Sequence, residues 1–296
     1  MRLALVCVGS LAACSFRPGS LAFDSLADAP FADASLDGVS GWSTPSLVAL
    51  PTTVANSDDD PSLTSDLLEL YVNRVEAGDP EVYVSIRASA DAAWPAPVPV
   101  ALVSAVGFGE TTPEVSYDGL ALIIASNRTG TIGGNDLWLS TRNTRAEAWS
   151  DPQRIADLSS TDNEAAGNLS PDGLAVVFSS YRKGLGTPDL YYAERASKAG
   201  PWNVTELVAL NTAGHEGSPC LSADKLTIYF DTDREGSGDL FMSHRASVAD
   251  AFPAPTKVPD VNTADAENDP WISLDERRIV FWSNRGGEGH LWEATR

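Results

Sequence analysis

One skeleton recurs five times along these 296 residues, and a chain built from like units must fold as a stack or a closed ring of them. The copies are SLTSDLLELYVNR (62–74), SYDGLALIIASNR (116–128), SPDGLAVVFSSYR (170–182), SADKLTIYFDTDR (222–234) and SLDERRIVFWSNR (273–285). After a Gly-rich loop of variable length each continues into EVYVSIR (81–87), DLWLSTR (136–142), DLYYAER (189–195), DLFMSHR (239–245) or HLWEATR (290–296). Seven residues past the closing Arg stands an aromatic, Trp94, Trp149, Trp202 or Phe252, followed by a short apolar run. The last copy stops at Arg296 without such a tail, and a matching piece, WSTPSLVAL (42–50), lies at the other end.

The units read as strands. LALIIA (120–125), LAVVF (174–178), LTIYF (226–230) and RIVFW (278–282) are β-branched and aromatic runs bounded by Asp-Gly-like turns. The segment before Ser-x-Asp, the acidic-Leu-aromatic run and the Trp-to-Val tail add three more strands per unit. Anchors at Thr64, Asp118, Asp172, Asp224 and Asp275 are spaced 54, 54, 52 and 51 residues apart. Four strands per unit of about 50 residues is the signature of propeller blades. The sequence therefore predicts an all-β, five-bladed propeller over 42–296, closed by 42–50 joining the C-terminal blade. Six blades, with a degenerate one in 15–41, is the competing arrangement.

Residues 1–13 read as a signal segment: Met1-Arg2, an apolar run from Leu3 to Ala13 too short for a permanent span, and small residues before Cys14. LAAC (11–14) resembles the bacterial lipoprotein signal, which implies that Cys14 becomes the acylated first residue and that several acyl chains anchor the protein. Ser15 after the Cys implies outer-membrane sorting, on the periplasmic or surface face. Residues 14–41, rich in Ala, Asp, Ser, Gly and Pro, are expected to tether the lipid to the domain. With Cys7 removed and Cys14 acylated, Cys220 has no partner, so no disulfide framework is expected.

The repeat SPDGLAVVFSSYRKGLGTPDLYYAER (170–195) resembles the Pro-Asp-Gly repeat of TolB-like β-propellers, and the likeness runs through 42–296. It implies the propeller fold and a periplasmic or cell-surface place. Tyr117, Ala223 and Leu274 replace the Pro, and Thr64 replaces the Asp of the first copy. TolB carries an N-terminal α/β domain with no counterpart here, so a role in the Tol system is not implied.

A net charge of −21 excludes the Lys/Arg clusters that nucleic acid requires. Three residues before Pro61, Pro113, Gly167, Pro219 or Pro270 stands an acid in each copy: Asp58, Glu110, Glu164, Glu216 and Glu267. They are expected near one end of the propeller axis. Unpaired, they form a ring that attracts a cation, calcium or a polyamine; paired with the repeated Arg74, Arg128, Arg182, Arg234 and Arg285, they staple the blades. SDDDP (57–61) and DAENDP (265–270) offer oxygen ligands without the order of a calcium loop. His215, His244 and His290 occupy different places in the repeat and suggest no shared metal, and no Ser-His-Asp arrangement appears. No catalytic residue and no cofactor beyond a possible cation is expected. Two functions remain: a monomeric, non-enzymatic envelope lipoprotein binding a protein, peptide or glycan, or a glycoside hydrolase using carboxylates at the funnel mouth.

Overall fold

The computed structural model describes residues 41–51, 58–75, 78–104 and 107–296. The signal segment, Cys14 and nearly all of the tether lie outside the described residues. The short strand β1 (Ser46–Leu47) opens the described chain. The first blade is β2 (Asp58–Leu63), β3 (Glu69–Arg74), β4 (Glu81–Ile86) and β5 (Val98–Pro99); the second is β6 (Glu110–Val115), β7 (Ala121–Ser126), β8 (Asp136–Thr141) and β9 (Gln153–Arg154). The third is β10 (Glu164–Leu169), β11 (Ala175–Ser180), β12 (Asp189–Glu194) and β13 (Asn203–Glu206). The fourth is β14 (Glu216–Leu221), β15 (Thr227–Thr232), β16 (Asp239–His244) and β17 (Thr256–Lys257). The fifth is β18 (Glu267–Ile272), β19 (Arg278–Ser283) and β20 (His290–Thr295), and β1 completes it by pairing Ser46 with Glu293 and Leu47 with Trp292. All neighbours are antiparallel, and β18 packs against β2 to close a five-bladed ring.

Each blade is sheeted by its own turn chemistry. In the third, Ser170 Oγ donates to Asp172 Oδ1 at 2.6 Å and accepts the Ala175 amide at 2.9 Å, while Asp172 Oδ1 accepts the Leu174 amide at 2.9 Å. Gly173 takes φ +68° there, the left-handed position that needs no Cβ. The first copy corrects the sequence register. Thr64 holds the Ser place and Asp66 the Asp place, because Thr64 Oγ1 donates to Asp66 and accepts the Glu69 amide. Arg74 therefore lies opposite Asp58, where the other blades have Ser126, Ser180, Thr232 and Ser283 opposite their acids. Matching on the Ser and Arg letters alone placed that copy two residues early.

The closing Arg of each third strand explains the aromatic seven residues on. Arg87, Arg142, Arg195 and Arg245 lie over Trp94, Trp149, Trp202 and Phe252 at 3.9, 4.3, 4.1 and 4.3 Å, and each Nε donates to a carbonyl of the inner turn. Arg296 finds its aromatic across the ring closure, over Trp42 at 4.4 Å. Among the described residues the core divides into five apolar clusters, each between adjacent blades; Phe178 with Ile123 and Leu137 is one example. Every blade is thus stabilised by its neighbours, and each fully buried aliphatic or Phe side chain contributes roughly 1.5–3 kcal/mol. No described helix is long and apolar enough to cross a membrane.

Candidate functional site

The repeated acids are structural in their surroundings. Glu110, Glu164, Glu216 and Glu267 are wholly buried and Asp58 nearly so. Arg74 Nε meets Asp58 at 2.6 Å, and the Nη2 atoms of Arg128, Arg182, Arg234 and Arg285 reach their acids at 3.0, 3.4, 3.2 and 3.0 Å, each within one blade. In the last four blades the same Nη2 also donates to a carbonyl of the connector from the preceding blade, at Val103, Leu158, Leu210 or Val261. The carboxylates further accept connector hydroxyls and amides from Ser160, Thr212 and Thr263. The arrangement is a ring of buried ion pairs, not a rim of free charge.

The axis itself is lined by the next residues of each inner strand. All five inner strands carry a bulge, with φ of 50° at Asp60, 47° at Thr112, 52° at Ala166, 42° at Ser218 and 56° at Asp269. The following Pro61, Pro113, Pro219 and Pro270 fit because a bulged residue need not donate to the ladder. Five-fold recurrence marks the bulge as architecture. What does not recur is the chemistry on it, and here the repeat breaks.

Asp59 and Asp60 of β2 and Asp269 of β18 meet at this mouth, and the Asp60 and Asp269 carboxyls hydrogen-bond to each other. Ser218 Oγ donates to Asp269 at 2.6 Å, and Asn73 Nδ2 donates to Asp59 at 2.7 Å. Asp231 of β15 accepts the Asp269 amide at 3.3 Å and holds His215 Nε2 at 3.0 Å. Two residues further along β6, Glu114 accepts Ser62 Oγ at 3.2 Å and Asn168 Nδ2 at 3.1 Å, so three blades meet on it.

The opposite end is closed. Tyr117, which stands where the repeat has Pro, sends its hydroxyl from the second blade to the Ile272 carbonyl of the fifth at 2.8 Å, and its ring lies 6.2 Å from that of Trp271. Blades two and five are not ring neighbours, so this side chain spans the axis. The crowded acids stand at the other end of the inner strands from Tyr117.

Crowded carboxyls in a protein-lined funnel resist ionisation. Burial pushes Glu114 up to about 8 and, with the charges of Asp231 and Asp59, Asp269 up to about 7; burial moves Asp59 to about 6 against the bond from Asn73. Asp60 is raised well above the carboxylate range by burial and then by Asp269. His215 is raised by its bond to Asp231. Among the described residues no group of three His, Cys, Asp or Glu side chains is placed to hold a metal ion. His244 bonds Thr227 and His290 faces Glu288, apart from the funnel.

A sign follows for stability. An acid whose folded pKa exceeds its unfolded one stabilises the fold below the unfolded value, and that contribution is lost as pH rises through the folded value. For Asp269 the window runs from its ordinary 3.8 to about 7. Asp269→Asn, which retains acceptors for Ser218, is expected to raise stability at pH 8 by about 1–3 kcal/mol relative to pH 4.5. Urea unfolding at both pH values checks it, and an unchanged pH profile would contradict the assignment.

SDDDP (57–61) and DAENDP (265–270), which the sequence marks as acidic segments, supply Asp59, Asp60 and Asp269, but none of these three, nor Glu114, is singled out by the sequence analysis. The missed signal lies in the aligned columns: Asp60, Thr112, Ala166, Ser218, Asp269, and Ser62, Glu114, Asn168, Cys220, Trp271. Positions that vary between otherwise like blades carry the site.

No protein-family model matches the chain, and no curated protein matches its sequence. Solved structures do share its shape. TolB from Acinetobacter baumannii is 17% identical with a TM-score of 0.50, covering 81% of this chain, while this chain spans 55% of that one. An α-L-arabinofuranosidase from Podospora anserina, solved with cellotriose, is 10% identical with a TM-score of 0.60, covering 86% of this chain and 96% of its own. An endo-arabinase from Bacteroides thetaiotaomicron is 13% identical with a TM-score of 0.55, covering 85% and 97%. At such identities these likenesses establish the β-propeller fold alone.

Proposed function

We propose that this chain is a lipid-anchored protein of the bacterial cell envelope whose propeller is a non-enzymatic binding module, seating part of a peptide or glycan at the acidic end of its axis. The observation that carries the reading is the break in the repeat. Five buried ion pairs account for the acids found in every blade, whereas Asp59 and Glu114 occur in one blade each, Asp60 and Asp269 share one repeat position in just two adjacent blades, and none of the four has a Lys or Arg partner among the described residues. The anchor rests on LAAC (11–14), which places Cys14 where a lipoprotein signal is cut. A glycan and peptide array probed with the chain is expected to give saturable binding that Asp60→Asn combined with Asp269→Asn reduces at least about tenfold, a change of about 1.4 kcal/mol. Equal binding by that variant would remove the funnel from the reading. Palmitate-analogue labelling lost in Cys14→Ala tests the anchor separately.

A second reading, glycoside hydrolysis, is favoured by one observation. Glu114, held protonated up to about 8, shares the funnel with Asp59, which ionises at about 6, so a proton donor and a base coexist at neutral pH. Turnover of aryl glycosides, arabinofuranosides included, with a loss of about 100-fold or more in Glu114→Gln would establish it. A wild-type chain without turnover leaves the binding module.

A further inference from the structure

On the reading that the funnel binds a ligand, we infer that its mouth takes an organic cation, a primary ammonium or guanidinium group, held by Asp59, Asp60 and Asp269 with the side-chain oxygen of Asn73. Two independent observations converge. Asp59 accepts from Asn73 and from its own backbone amide, Asp269 accepts from Ser218 and shares a hydrogen bond with Asp60, and no Lys or Arg side chain pairs with the three among the described residues. The nearest cations are already engaged, Arg74 by Asp58 and His215 by Asp231. Separately, Asn73 is 7% exposed, and its Oδ1 is a buried acceptor with no donor among the described residues, on the same amide that bonds Asp59. An orphaned acceptor costs free energy until a donor reaches it. What these three acids lack among the described residues is a cationic N–H partner of their own.

The geometry separates an organic cation from a metal ion. A metal draws its oxygens to one point at coordination distance, and no such convergence exists among the described residues. Ammonium and guanidinium groups instead present three and five donors in different directions, matching acceptors spread over two adjacent blades. The left-handed backbone at Asp60 and Asp269 turns both residues from the ladder at the same level of the ring, with the Asp60–Asp269 bond bridging the blade junction.

Protons compete for the same oxygens. The groups facing the mouth are Asp58 with Arg74, Asp59 and Asp60 on the first blade, Glu114 on the second, His215, Asp231 and Asp233 on the fourth, and Asp269 on the fifth. Binding a cation drives off the protons that Asp60 and Asp269 retain near neutrality, so affinity rises with pH, by about tenfold per unit for each proton released.

Calorimetric titration of the full chain with spermidine, with a tri-arginine peptide and with calcium chloride, at pH 5.5, 7.0 and 8.0 and at low and high salt, tests the inference. The expected result is saturable one-to-one binding of an amine or guanidinium probe that releases protons and persists in high salt. Asp269→Asn and, independently, Asn73→Ala should each weaken it at least tenfold, while Asp151→Asn on the exposed surface leaves it unchanged. Preference for spermidine marks a free amine as the ligand; preference for tri-arginine marks a basic side chain of a peptide. Multisite binding that salt abolishes and both funnel variants retain would reduce the effect to the overall charge of −21 and overturn the inference. Calcium bound in place of either amine overturns it as well. If an array ligand still binds through the funnel while both amines fail, this inference falls and the binding-module reading stands.

Discussion

Trp42→Ala is expected to cost about 3–5 kcal/mol of stability, in the range for removing a buried aromatic. Trp42 is 5% exposed and packs with Tyr229, Leu240, Ile272, Ile279 and Phe281, at the junction of the fourth and fifth blades. Arg296 caps its ring at 4.4 Å, and Ser43 beside it exchanges two hydrogen bonds with Thr295, at 2.7 and 3.0 Å. The same pair of bonds joins Ser150 and Thr141 inside the second blade, so the closure reuses a normal blade contact between residues 252 positions apart. The cavity therefore falls on the seam of the ring. Trp149→Ala is the control, since Trp149 is equally buried but lies within a blade whose strands are contiguous in sequence. Both variants should lower the urea midpoint. Only Trp42→Ala should also let a protease cut within 41–51 before global unfolding, because the two-residue β1 joins its blade across the seam, whereas the equally short β9 follows its partner β8 directly in the chain. Loss of stability without early cleavage would mean that the seam opens no sooner than the rest of the ring.

The ring was legible in the sequence because each blade repeats the residues that build it. Ser-x-Asp makes the inner turn, the closing Arg needs an aromatic seven residues later, and WSTPSLVAL supplies the tail that Arg296 lacks. Those are local chemistries with fixed offsets, and an alignment of five copies averages out their variation. Even so the first copy slipped by two residues, since its Arg74 faces Asp58 directly instead of folding back from beyond the strand. The funnel was less legible for the opposite reason. Asp60 and Asp269 lie 209 positions apart and are brought together by ring closure, and Glu114 gains its importance from Ser62 and Asn168 on the flanking blades. None of this has a spacing to read. Tyr117 stood out as a departure from Pro-Asp-Gly, but that it plugs the axis follows only from where the bulged inner strands place Ile272. The sequence-stated acids at Asp58, Glu110, Glu164, Glu216 and Glu267 drew attention because they recur, and recurrence is what an architectural pair requires.

The sharpest contrast between the two sets of acids lies in the sign of a substitution. Glu216 is fully buried and accepts the Thr212 amide and hydroxyl, both at 2.7 Å, the Thr232 hydroxyl at 2.9 Å and Arg234 at 3.2 Å. Arg234 in turn donates to the Leu210 carbonyl and lies over Phe230 and Phe241 at 5.4 and 4.9 Å, so it cannot follow a lost partner into water without leaving those contacts. Glu216→Ala strands the guanidinium and three other donors, and is expected to destabilise by about 3–5 kcal/mol, as breaking one side of a buried pair does. Glu216→Leu combined with Arg234→Met removes both charges together and should recover a large part of that loss, because the desolvation cost of each ion disappears with it. Asp269→Asn goes the other way at pH 8, where removing one member of a crowded acidic group relieves repulsion. Urea unfolding of the four chains at pH 8 gives both signs in one series. If Asp269→Asn destabilised as Glu216→Ala does, the funnel acids would be part of the scaffold, and the break in the repeat would carry no site.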